Sequence, residues 1–271
     1  MDQLLRTPAV AGSFYPDSGD ELRLQIERWW RRMPPAPDPP PRALVVPHAG
    51  YEYSGETAAR GFALVRDAPF HHVVLLAPSH YDSFSFASVF SGDAYQTPLG
   101  LVQCSRDLAR ALAGMAPVFR LSLRGHSPSR EHALEVQLPF LQLALNRFEL
   151  VAVAVGDLDA GQIAQAGEAL ARLCAGGETL LVASSDLSHF HPRAAAEELD
   201  QATVGAIEAG DTGAFLAGVG TGRLEACGAA PVAVAMSATA GRRWRLIHYS
   251  NSGDVLGERG AVVGYAALAV C

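Results

Sequence analysis

The sequence predicts an α/β fold, one domain with a mixed, largely parallel central sheet flanked by helices. Three observations predict it. Short β-branched apolar runs, Leu44–Val46 and Val73–Ala77 first among them, are too short for independent helices and read as strands buried on both faces. Helical patterns separate such runs along the chain, as crossovers between parallel strands require. With 271 residues, 49% of them hydrophobic, the chain is long enough for one large core rather than several small ones.

The elements follow in order. Ser18 with Glu21 forms a capping box ahead of an amphipathic helix, ELRLQIERWWRRM. PPAPDPPPR at 34–42 is a stiff connector, and residues 1–42 are expected to pack on the single domain 1–271. The strand Ala43–Val46 comes next, then a helix capped by Ser54 and running to Val65, then the strand Val73–Ala77. SFSFASVFSG from Phe84 alternates polar and apolar residues, and TPLG at 97–100 is a turn, so a β-hairpin is expected. Ser105 should cap a helix to Met115. Residues 129–145 carry a leucine stripe and predict a helix kinked at Pro139. Leu150–Val155, a helix 160–174 and Thr179–Ala183 continue the alternation. Helices are expected at 193–209, 211–219 and 227–240, and strands at 244–250 and 261–269, with GDVLGERG as the loop between them.

Composition excludes some classes. A net charge of -7, from 21 basic and 28 acidic residues, argues against a nucleic-acid footprint. No apolar run approaches the roughly 18 residues of a membrane span. The start of the chain lacks a signal-peptide layout, and four unpaired cysteines at 104, 174, 227 and 271 read as reduced thiols, so a cytoplasmic setting is expected. Phosphate-loop, dinucleotide-binding, nucleophile-elbow and paired C-x-x-C motifs are absent from the sequence.

Chemistry concentrates at strand ends. VVPHAGY and LLAPSHY each close an apolar run with Pro and then His, so His48 and His80 arrive at the carboxyl ends of strands, where open α/β sheets bind ligands. One such histidine alone would read as bonded to backbone; two in matching contexts point to shared metal ligation. Cys227, in EACGAAP, reads either as a third ligand made acidic by a helix N-terminus or as a small packed thiol. In SSDLSHFH, His189 is a candidate general acid/base with Asp186 orienting it; a capping loop built from Ser184, Ser185 and Asp186 is the plainer reading. SREHALEVQLPF offers Glu131, His132 and Glu135 as partners behind the ligands or as substrate contacts, unless they form a solvated helix face. Tyr51 and Tyr81 either line the pocket or cover the rim of the core, and His126 and His191 are weaker candidates.

AGSFYP, VPHAGYEYSG, LLAPSHY, REHALEVQLPF, SSDLSHF and EACGAAP, in this order, resemble the Memo family, whose bacterial and archaeal members are often labelled AmmeMemoRadiSam system protein B. The resemblance spans about Arg6 to Val270. It implies an extradiol-dioxygenase-like fold, similar to non-haem iron enzymes whose metal is held by two His and one Glu. It puts His48 and His80 on the two metal histidines, Cys227 in place of the Glu, and His189 on the catalytic histidine, with Asp186 beside it. It implies Fe(II) as cofactor, dioxygenase-like oxidoreductase chemistry, and radical-SAM and AMMECR-type protein partners. The Cys-for-Glu departure replaces a hard oxygen with a soft sulfur and brings copper(I) or zinc into view. The alternative is therefore a non-catalytic copper- or zinc-binding or peptide-docking protein, with a metal-assisted hydrolase behind both.

Overall fold

The computed structural model describes residues 3–257 and 260–270. The central sheet has nine strands. Its middle is four parallel strands in the order Ala43–Val46, Thr179–Ser184, His72–Pro78, Glu149–Val155. On one side Ala87–Phe90 joins antiparallel to Glu149–Val155, and Phe119–Ser122 runs parallel to it. On the other side the long strand Ala261–Val270 lies antiparallel to Ala43–Val46 and also pairs with Trp244–Asn251 and His189–Pro192. The mixed, largely parallel sheet expected from the sequence is thus present, with its parallel strands at the centre.

Alternation along these strands builds two cores. Leu44, Val46, Val73, Leu75, Leu150 and Leu180 face one side, under the helices Gly19–Trp30, Tyr51–Ala63 and Leu138–Ala144. Ala43, Val45, Val74, Leu76, Val151 and Leu181 face the other, under Arg106–Met115, Ala160–Leu173, Arg193–Ala209, Thr212–Gly220 and Ala229–Ala238. Successive side chains of a strand point to opposite faces, so continuous apolar runs are what a sheet covered on both sides needs. The N-terminal helix buries Leu22, Ile26 and Trp30 against the first of these cores. Ser18 accepts from the Glu21 amide at its start, as the capping motif predicts.

Four local expectations change. The helix after Ala43–Val46 begins at Tyr51, and Ser54 lies inside it, donating to the Ala49 carbonyl at 3.0 Å rather than capping. Ala87–Phe90 is recruited by the main sheet; the hairpin across 97–100 instead joins Ala94–Thr97 to Gly100–Gln103 in a small sheet with Leu5–Arg6. The expected helix 129–145 is helical only from Glu135, as a 3-10 turn followed by Leu138–Ala144. Pro139 falls in the first turn of that helix, where its missing N–H costs nothing, and so it starts a helix instead of kinking one. Part of the expected loop after Asn251 is a short helix, Gly253–Leu256, and positions 258–259 lie outside the described residues.

Candidate metal centre

The sheet delivers its donors at the carboxyl edge. Ala43–Val46 runs into Pro47 and then His48, whose backbone N–H donates to Asp186 Oδ1 at 2.7 Å. The ring is buried, with Nδ1 2.9 Å from Ser184 Oγ. The Ser184 hydroxyl gives its one proton to the Ala133 carbonyl at 2.8 Å and accepts from Gln137 Nε2 at 2.9 Å. It can therefore only accept from His48, which fixes the imidazole proton on Nδ1 and leaves the Nε2 lone pair free. That Nε2 lies 3.2 Å from Cys227 Sγ. Burial, then the neighbouring His80, His132 and His189, push the His48 pKa well down.

His80 reaches the same place from His72–Pro78. Glu131 holds it twice: Oε2 accepts the His80 backbone N–H at 2.7 Å, and Oε1 lies 3.1 Å from Nδ1. Oε1 also accepts the amides of His132 and Ala133 at 2.8 and 3.0 Å. This local bonding is why residues 131–134 do not continue the expected helix. Burial works against charge on both partners, but their mutual attraction outweighs it: the Glu131 pKa falls to about 2 and that of His80 rises. Here too Nδ1 is occupied and Nε2 is free.

Cys227 lies two residues ahead of Ala229–Ala238. Its Sγ accepts the Asp186 N–H at 3.2 Å, and its own N–H donates to the Asp186 carbonyl at 3.2 Å. Ser185 Oγ accepts the next amide, that of Gly228, at 2.9 Å. A Cβ on Gly228 would sit 2.3 Å from the Ser184 carbonyl oxygen, so only glycine lets this loop approach the strand end. The sequence-based expectation of a thiol made acidic by a helix is corrected. Burial, and then the Asp186 carboxylate, push the Cys227 pKa up, and the hydrogen bonds that the sulfur accepts from Asp186, Ser185 and Gly228 only partly offset them.

The structure brings the donor atoms of His48, His80 and Cys227 within 4.8 Å of one another. Two imidazoles with Nδ1 engaged and Nε2 presented, plus a sulfur, are a donor set that could hold a transition-metal ion. His189 is adjacent: Asp186, His189 and Cys227 also fall within 4.8 Å. Its Nδ1 lies 2.9 Å from the Leu187 carbonyl, which only accepts, so Nε2 is again the free atom. Asp186 is buried, and burial raises its pKa to about 6. Its carboxylate accepts the His48 amide and makes no hydrogen bond to the His189 ring, while its backbone N–H and carbonyl bond Cys227, so Asp186 ties the His48 and Cys227 loops together.

Other expected residues divide. His132 stacks on His80, rings 5.1 Å apart and 5° from parallel, and lies edge-on to His48 at 5.8 Å. Tyr81 is exposed on the rim of a cleft of about 560 Å³ that opens at His80 and Cys227. Tyr51 and Glu135 are corrections. The Tyr51 hydroxyl donates to the Val136 carbonyl at 2.7 Å and its ring packs on Tyr15, Trp29 and Phe140 in the core. Glu135 is fully buried, paired with Arg6 and Tyr15, and accepts the amides of Ala9 and Val10 at 2.7 and 3.1 Å; it anchors the N-terminal segment. His126 is buried away from the centre, between Tyr95 and the Ser88 carbonyl.

Glu225 escaped the sequence reading. One oxygen accepts the His189 N–H at 2.9 Å and the other lies 2.7 Å from His191 Nε2. Between the two histidines, Phe190 is held at φ 62°, a left-handed conformation costly for a bulky residue, with 75% of the side chain exposed. An acid two residues before Cys227 was the available signal, and its partners 34 and 36 positions away were not.

Comparison with known proteins identifies the chain's relatives. Residues 6–269 match the family described as Memo-like protein. A MEMO1 family protein of Methanopyrus kandleri is 35% identical over 280 residues, covering 97% of this chain and 98% of that protein. One of Methanosarcina barkeri is 35% identical over 272 residues, covering 98% and 100%. Among solved structures, an uncharacterized protein of Escherichia coli K12 shares the fold, with a TM-score of 0.51, 14% identity, and coverage of 84% of this chain and 98% of that one. By motif order, by length and by whole-chain identity, this chain belongs to the Memo family.

Proposed function

We propose that His48, His80 and Cys227 hold an iron(II) ion and that the protein is a dioxygenase-like oxidoreductase acting on a small molecule bound in the adjoining cleft. The observation that carries this reading is the convergence of three donor atoms within 4.8 Å, with the cleft opening at two of them. Bound there, the metal would supply redox and Lewis-acid chemistry at positions the three protein ligands leave open. The chain's own residues divide the remaining work. Ser184 and Glu131 orient the two imidazoles. Asp186 joins the His48 and Cys227 loops. His189, with Nε2 free beside the centre, takes or gives a proton. Radical-SAM and AMMECR-type proteins are the partners proposed, to be sought by co-purification.

A second reading has its own support. The group containing both histidines has sulfur as its third donor and no carboxylate, and soft sulfur favours copper(I) or zinc over iron. On that reading the protein holds metal without turning over a substrate.

Elemental analysis separates the two. Protein purified without oxygen or chelator should carry near-stoichiometric iron, lost in a His48→Ala/Cys227→Ala variant. Copper or zinc in its place would transfer the conclusion to the second reading, and absence of any metal after anaerobic reloading would refute both.

A further inference from the structure

The cleft beside the three donors is asymmetric in charge. One end is His80 and Cys227; its wall is apolar, from Leu158, Ile163, Leu216 and Pro231; the exposed Asp82 and Asp157 also line it. No Arg lines it among the described residues, and the chain has no Lys at all. The rim acids are held in place. Ser79 Oγ closes a turn by donating to the Asp82 carbonyl at 2.7 Å, and Asp82 Oδ2 accepts the Gly125 N–H at 2.8 Å. Ser83 Oγ, one residue on, donates to Asp157 Oδ2 at 3.4 Å, which ties the second carboxylate to the same turn. Neither acid has an Arg or His partner within ion-pair distance among the described residues. At the His80 end, Nδ1 of the imidazole is already engaged by Glu131.

We propose that this cleft selects a ligand with an apolar body and a cationic ammonium end, the ammonium at Asp82 and Asp157 and the body against the Leu158–Leu216 wall. The proposal rests on the reading that the cleft serves the His48, His80 and Cys227 centre, and it names the substrate class for it. A volume of about 560 Å³ suits a small aromatic or branched amine. At the rim, carboxylate and phosphate ligands of the same size meet two anions and no Arg or Lys side chain. Like charges brought together in this way are a common source of selectivity, acting against the wrong ligand while the same carboxylates attract the ammonium.

Two probes of matched size test the proposal by calorimetry on the protein as purified: phenethyltrimethylammonium and 3-phenylpropanoate. The quaternary ammonium cannot ligate a metal and the carboxylate can, so any metal present biases the comparison against the proposal. Exposed carboxylates act weakly one at a time, so two should favour the cation by roughly 3- to 30-fold at low salt, less at 0.15 M. Asp82→Asn/Asp157→Asn should abolish that preference. Asp107→Asn/Glu198→Gln, which changes net charge equally on distant exposed acids, should leave it intact. The idea is overturned by equal or tighter binding of the anion, by a preference that survives in Asp82→Asn/Asp157→Asn, or by binding of neither probe. Metal content measured on the same samples keeps the two readings apart. Metal present without the preference removes the ligand class alone, and the preference without metal removes the metal centre alone.

Discussion

The strands Ala43–Val46 and His72–Pro78 both end in proline and hand a histidine to one edge of the sheet, yet the two imidazoles are held by different means. His48 is 2% exposed and rests on a neutral hydroxyl, that of Ser184. The His80 side chain is 28% exposed and rests on a carboxylate, that of Glu131. Burial drives the pKa of the first down, and Glu131 drives that of the second up. A repeated motif can therefore supply the same donor atom while its supports give one ligand rigidity and the other charge. The His48 side is fixed by the sheet itself, since Ser184 belongs to the neighbouring strand Thr179–Ser184. The His80 side depends on a loop, residues 127–135, which is itself pinned by Arg6 donating to the Ser127 and Glu131 carbonyls and pairing with Glu135.

That contrast can be broken at its foundation. Arg6→Ala removes one partner of a buried pair and frees the loop, at a cost of about 3–5 kcal/mol in denaturant unfolding. Metal should weaken with it, and an unchanged unfolding midpoint would show that the loop does not rest on Arg6. Next in size, Glu131→Gln puts an amide where three backbone N–H groups and an imidazole need an acceptor, and metal affinity should fall by roughly 10- to 100-fold in competition with a chelator. Ser184→Ala removes only a neutral partner, so a loss of about tenfold is expected. A larger loss there than at Glu131 would reverse the ranking.

The smallest effect is on titration of the metal-free protein. Its His80 ring should titrate above 6.5 and its His48 ring well below, as read from imidazole nitrogen shifts. The signs for stability are opposite. The raised pKa of His80 favours the folded chain below 6.5 and loses its contribution as pH climbs through the folded value. The lowered pKa of His48 favours it above 6.5 and loses its contribution as pH drops. Coincident titration of the two rings would mean that their supports do not differ.

What the sequence made legible follows from range. Strand ends, the Pro-His steps and the apolar alternation are local, and they located His48 and His80 together with the sheet that carries them. Cys227 was legible as a candidate donor, but its surroundings were not. The helix that was expected to make the thiol acidic begins two residues later, and burial decides instead. Glu131 and Glu135, four residues apart, looked alike on an assumed helix. The backbone is not helical at 131, and one acid turns to His80 while the other turns to Arg6, 129 positions away. Ser184, Ser185 and Asp186 do satisfy backbone amides and carbonyls, as a capping loop would, but those of the His48, Ala133 and Cys227 segments rather than of their own helix. No local pattern records such pairings.

The wide spacing of the donors has a consequence for timing. His48 and Cys227 are 179 residues apart, and the strand before His48 is flanked by Thr179–Ser184 on one side and Ala261–Val270 on the other. During synthesis the two imidazoles leave the ribosome long before their sulfur does. A metal ion met at that stage finds only a partial set of donors on an unpaired strand, and long-range parallel pairing of this kind is slow to form. Tight metal capture by these donors would therefore belong to chains that have already assembled the middle of the sheet, and retained metal would serve as a readout of completed folding.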